Sequence, residues 1–200
     1  MIRVEPAPEP DSFAAAVRQP GARLLAQRAE EQRLGQPVTM LEPYWTRCLG
    51  DLMTVYRRIC AYSCFHIHPV TGARSVDHFA AKSTDPALAY EWTNYRLVCA
   101  RLNSRKGVFA DVLDPFEIET GWFVLDFISF WVWPNRHLRI DHAAVQATID
   151  RLGLNKPPLP STRAEDFERY EQGGSWAYLA EFSPFVAAEI ERQGWRRPGT

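Results

Sequence analysis

Apolar residues recur at three- and four-residue steps through Trp45, Leu49, Leu52, Tyr56 and Ile59, which predicts a helix between Glu42 and Ile59 with one buried stripe. Then the period changes. Cys60 to His68 is dense in β-formers and aromatics, Pro69-Val70-Thr71-Gly72 is a turn signal, and Ala73–Phe79 reads as the second strand of a hairpin. A connector over 80–93, punctuated by Pro86, leads to a helix over Asn94–Arg105. There Tyr95, Leu97, Val98 and Leu102 lie on roughly one face, and Gly107 is the stop signal.

The flanks are simpler. Residues 1–20, rich in Pro and acidic residues with a short apolar patch at Phe13–Val17, predict an extended arm outside the core. A short exposed helix follows over 22–33. After the central segment, the aromatic run 121–133 predicts one or two strands. Asp141–Leu152 predicts an amphipathic helix closed by Gly153, and two further helices are expected near 162–172 and 184–193. The fold class is therefore α+β in three parts: an arm with a short helix over 1–40, a central module with its leading helix over 41–110, and a strand and helical extension over 111–200.

Composition narrows the partners. The formal net charge is −1, so the chain is no globally basic nucleic-acid binder. Lysine occurs only at Lys82, Lys106 and Lys156, and any footprint for nucleic acid must be local, with 96–106 the obvious place. The start lacks an apolar core of the kind a secretory signal needs. The most hydrophobic run, Trp122–Trp133, is interrupted by Asp126 and Ser129 and is too short to cross a bilayer. A cytoplasmic setting with no membrane contact is expected. Four cysteines in 200 residues do not suggest a disulfide scaffold.

The candidate chemistry sits in residues 76–107, VDHFAAKSTDPALAYEWTNYRLVCARLNSRKG. Asp77 and His78 are adjacent, Asn94 follows the connector, and Asn103 comes nine residues later amid Arg101, Arg105 and Lys106. This constellation resembles the HNH endonuclease family (ββα-metal) in the variant whose last position is Asn. Its flanking VDHF, NYRL and NSRKG are similar to the bacterial anti-phage-defence HNH proteins encoded beside ATPases. The resemblance covers roughly 42–190 and is weak outside 60–107.

The resemblance implies a metal-dependent phosphodiester hydrolase acting on DNA before RNA. Asp77 and the amide oxygen of Asn103 would hold one Mg²⁺ or Mn²⁺, with waters and substrate phosphate completing the octahedron. His78 would be the general base, its ordinary pKa of about 6.5 suiting neutral pH. Asn94 would hold the connector and orient His78. Arg96, Arg101, Arg105 and Lys106 are candidates for phosphate contacts. One metal nicks one strand, so a double-strand break would need two protomers or two visits. An ATPase or other regulatory partner in a bacterial cytoplasm is implied as well. The alternative is a catalytically inactive scaffold that keeps the fold to bind a partner.

Two departures from the family pattern matter. Many relatives bind a structural Zn²⁺ through two C-x-x-C pairs, which here read Cys60-Ala-Tyr-Ser63 and Cys99-Ala-Arg-Leu102. A four-thiolate site cannot form by that pattern. A different set drawing on Cys64, His66 or His68 is the remaining route to zinc, and a metal-free joint is preferred. Ala81 also stands where a Pro is usual. A hydrolase triad using Ser75 or Ser83 is set aside, because no nucleophile elbow accompanies them.

Overall fold

The structure is a computed structural model and describes residues 1–197. It is a mixed α+β chain in which helices surround two small antiparallel sheets. A helical run begins at Asp11–Phe13, widens into a π turn over Ala14–Arg18 and continues as Gln19–Arg33; together these form α1. A 3-10 segment, Tyr44–Cys48, runs into α2 (Leu49–Val55). Strand β1 (Arg74–His78) pairs with β2 (Tyr95–Cys99), which passes directly into α3 (Ala100–Lys106). Beyond them lie β3 (Phe123–Leu125) and β4 (Val132–Pro134), then α4 (His142–Leu152), α5 (Leu159–Glu171), α6 (Trp176–Phe182) and α7 (Pro184–Arg192).

The central order is strand, long connector, strand, helix, but the strands are not the ones the pattern suggested. β1 pairs with β2 in the register Arg74↔Cys99, Val76↔Leu97, His78↔Tyr95, and 60–68 forms no extended strand. Instead 59–67 makes a tight knuckle with one isolated bridge, Ile59↔His66, in which Cys64 takes a left-handed φ of 57°. The expected helix over 94–105 is strand as far as Cys99 and helix only from Ala100. Tyr95, Arg96, Leu97 and Val98 are all buried, so both faces of β2 are covered. A strand buried on both faces is a short apolar run, which periodicity cannot tell from a buried helix.

The N-terminal segment also departs from its expectation. It is part of the core rather than an arm. Met1, Phe13 and Val17 are buried, and Phe13 packs edge-on against Trp92 (5.5 Å) and Tyr95 (5.8 Å). Val4 N–H donates to Pro115 O, and Trp92 Nε1 donates to Ala7 O. The helix expected over 42–59 is shortened to 44–55, ending where Arg57 and Arg58 both adopt positive φ. The strands within 121–133 and the helix at 142–152 match their expectations. So does the C-terminal pair of helices, with α6 as an additional element between them. The last three residues of the expected 111–200 extension lie outside the described residues.

Among the described residues, no helix is long and apolar enough to cross a membrane.

Candidate functional site at the β1–α3 junction

Asp77 and His78 end strand β1, and Asn103 lies on α3, one helical turn before its C-terminus. All three line one polar cleft of about 170 Å³, together with Lys82, Ser83 and Val108. Strand alternation turns Asp77 and His78 to opposite sides of the backbone. Both nonetheless line the cleft, which lies at the end of the strand.

Asp77 is 2% exposed, and its carboxylate is held from two directions. Tyr62 Oη donates to Oδ2 at 2.5 Å and Lys106 Nζ donates to Oδ1 at 3.1 Å. Lys106 is itself buried and donates to the carbonyls of His78 (3.1 Å) and Phe79 (3.0 Å), so its ammonium rests among three oxygens. Burial pushes the Asp77 carboxyl above the usual range, opposed by Lys106 and by the Tyr62 hydroxyl.

His78 sits edge-on to Trp45 (4.7 Å) and to Tyr95 (5.1 Å). Its Nε2 is 3.0 Å from Ala89 O, and a carbonyl only accepts, so Nε2 carries the proton and Nδ1 is the basic nitrogen. Among the described residues Nδ1 has no hydrogen-bond partner. Desolvation by this aromatic box lowers the ring to about pKa 4, well below the 6.5 expected from sequence. The imidazole is therefore neutral at physiological pH.

Asn94 explains why Ala89 stands where it does. Its Oδ1 accepts from Ala80 N–H (2.8 Å), while Nδ2 donates to Ala80 O (3.0 Å) and Leu88 O (3.1 Å). One buried amide thus ties both ends of the connector beside the carbonyl that fixes His78. Asn103 Nδ2 donates to Ser75 Oγ (2.6 Å) and Val76 O (3.2 Å), which leaves Oδ1 with no donor among the described residues.

The residues present fit a hard divalent cation. Asp77 and Asn103 line the same cleft, and the Asn103 amide oxygen accepts no hydrogen bond among the described residues. Each Asp77 oxygen keeps one acceptor direction, although Oδ1 already holds the Lys106 ammonium. No cluster of three or more His, Cys, Asp or Glu occurs among the described residues, so any cation here would draw most of its shell from water and substrate.

The basic residues fall out differently from expectation. Arg96 is 4% exposed, binds Asp114 through two nitrogens (2.8 and 2.5 Å) and stacks 3.5 Å over Phe116. Arg105 Nη1 donates to Leu152 O and Gly153 O, satisfying carbonyls at the end of α4. Lys106 is consumed by Asp77. In this structure Arg96 and Lys106 cannot reach a phosphate, because the core needs their charges; Arg101 alone of the four stands exposed. Lys82, exposed at the cleft mouth and 5.0 Å over the Trp45 ring, is the cation the sequence reading missed. Its position four residues after His78 was the available signal. Tyr62 was missed too, and nothing local marks it.

The zinc positions converge without completing a site. Cys60 Sγ accepts from Cys99 N–H at 3.3 Å. Burial pushes the Cys60 thiol up, but hydrogen bonds from Cys99 and Ser63 outweigh this and make it the more acidic of the pair. Cys64 instead faces Ile2 and Arg163, His66 packs on Phe182, and His68 Nδ1 accepts from the Val70 and Thr71 amides.

No protein-family model and no curated protein matches this sequence.

Proposed function

We propose that the chain is a metal-dependent endonuclease of the HNH type, cutting phosphodiester bonds at the Asp77–His78–Asn103 cleft. The observation that carries this reading is the convergence of three side chains from β1 and α3 on one small polar cleft, with Asn94 pinning the connector that orients His78. Neutral His78, with Nδ1 free, accepts a proton from water. Its low pKa sacrifices basicity but keeps the ring unprotonated at neutral pH. Asp77 and the Asn103 amide oxygen would hold the cation. A bound Mg²⁺ or Mn²⁺ supplies charge stabilisation of the phosphorane and help for the leaving oxygen. Lys82 at the mouth offers a positive charge to an entering phosphate. DNA as substrate, a role in anti-phage defence and regulation by an ATPase partner come from the resemblance alone.

One observation favours the scaffold alternative: Asp77 is nearly inaccessible and already neutralised by Lys106. Supercoiled-plasmid cleavage with Mg²⁺, Mn²⁺ or EDTA decides between the two. The nuclease reading expects cation-dependent nicking that is lost in His78→Ala and Asn103→Ala while far-UV circular dichroism is unchanged. A folded wild type that neither nicks DNA nor binds Mn²⁺ in equilibrium titration would leave the scaffold.

A further inference from the structure

Strand β4 presents an outer face that the fold does not need. Val132 is fully buried and pairs with Leu125, so its neighbours Trp131 and Trp133 turn outward together. Their rings lie 5.7 Å apart, and they are 43% and 38% exposed. Indoles left in water forfeit burial that Trp ordinarily finds, and such a pair marks a contact surface.

The chain then turns into a loop with Arg136, His137 and Arg139, all exposed. Neither arginine has a hydrogen-bond or ion-pair partner among the described residues. The loop that carries them is nevertheless braced. Asn135 Nδ2 donates to Gly121 O (2.9 Å), its Oδ1 accepts from His137 N–H (3.0 Å), and His142 Nε2 donates to its carbonyl (3.1 Å). Clefts of about 590 and 480 Å³ open on the two sides of Trp133, Pro134 and Arg136. The one carboxylate lining them, Asp126, is occupied by the Ser129 hydroxyl and by the Ile128 and Ser129 amides.

We propose that Trp131, Trp133, Arg136 and Arg139 form a docking platform for single-stranded nucleic acid, bases stacking on the indoles and phosphates meeting the guanidinium groups. The unpaired cations choose the partner. A single strand brings a flat π face and a negative charge in every nucleotide, which is the pairing this surface offers. Duplex DNA keeps its base faces stacked internally and would leave the indoles unused. The platform also stands where the expected footprint at 96–106 fails, since three of those four cations are engaged within the fold.

As the means of holding a substrate strand, the inference rests on the nuclease reading; as a binding site, it stands alone. Helix α4 begins just past the loop, and its final carbonyls accept from Arg105 on α3. It forms a strut of about 16 Å between platform and cleft module.

The test is fluorescence anisotropy of a labelled mixed-sequence single-stranded DNA oligonucleotide in EDTA, with tryptophan emission followed in parallel. The full-length chain is expected to bind the oligonucleotide more tightly than its duplex, with quenching of tryptophan. Arg136→Ala/Arg139→Ala should weaken binding and lower the slope of log K against log salt by roughly 1.4, about 0.7 for each lost phosphate contact. Trp131→Ala/Trp133→Ala should weaken it by roughly tenfold or more and remove the quenching. Thermal melts establish that each variant is folded, and the arginine pair, having no internal partner, tests the proposal even if the tryptophan pair destabilises. Absent binding, duplex preference, or affinity unchanged in the arginine variant would overturn it. A chain that nicks plasmid but fails here refutes the platform and not the cleft; binding without nicking supports the platform and counts against the cleft.

Discussion

Replacing Lys106 by Met removes one charge from a site that water does not reach. The ammonium is 1% exposed and its partner Asp77 2%, with Nζ–Oδ1 at 3.1 Å. Among the described residues Tyr62 would remain as the only donor to the carboxylate, and the His78 and Phe79 carbonyls would each lose the Lys106 donor. Breaking a buried pair by removing one partner costs about 3–5 kcal/mol, because the other charge stays desolvated. Set against a typical stability of about 5–15 kcal/mol, that is a large share. For a chain of this size it corresponds to a fall of roughly 6–20 °C in Tm, at about 2–4 °C for each kcal/mol. Urea denaturation of Lys106→Met, Asp77→Asn and the double variant measures the coupling. The double variant should recover part of the loss, since no isolated charge remains. A cost below about 1 kcal/mol for Lys106→Met, or single costs that simply add, would refute the claim that this pair holds β1 to α3.

Acid should act through His78. Its folded pKa is lowered to about 4 from 6.5, so the unfolded chain binds more protons between those values. The neutral ring's stabilisation is therefore complete above about pH 6.5 and is lost as pH falls towards 4, by roughly 3 kcal/mol in all. Urea midpoints for wild type and His78→Phe should converge across that window; parallel curves would contradict the burial argument. Gly21→Ala offers a test of sign. In a helix the change ordinarily gains up to about 1 kcal/mol. Here the added Cβ would lie 2.2 Å from Cγ of the buried Tyr90 ring, so a net loss of about 1–3 kcal/mol is expected from overpacking. A raised Tm for Gly21→Ala would show that the α1–Tyr90 contact is looser than its geometry.

Some of this was legible residue by residue. The α+β class, the strands within 121–133 and the helix from 142 to 152 follow from local period and turn residues. Asp77, His78 and Asn103, singled out by the resemblance, do line one cleft, but the connector between them runs from strand to strand rather than from strand to helix. Which strand pairs with β1 was not legible. The apolar run at 95–98 suits either a helix or a doubly buried strand, and only the covering of both faces decides between them. The fate of the charges was equally hidden. Arg96, Arg105 and Lys106 read as candidates for phosphate contacts, yet Asp114, the end of α4 and Asp77 claim them one by one. Those partners lie 18 to 48 residues away along the chain. Tertiary packing likewise placed Tyr62 on Asp77 and drew the N-terminal segment into the core. Local sequence sets what a segment can form; burial, which depends on distant residues, decides which charges stay free to meet a ligand.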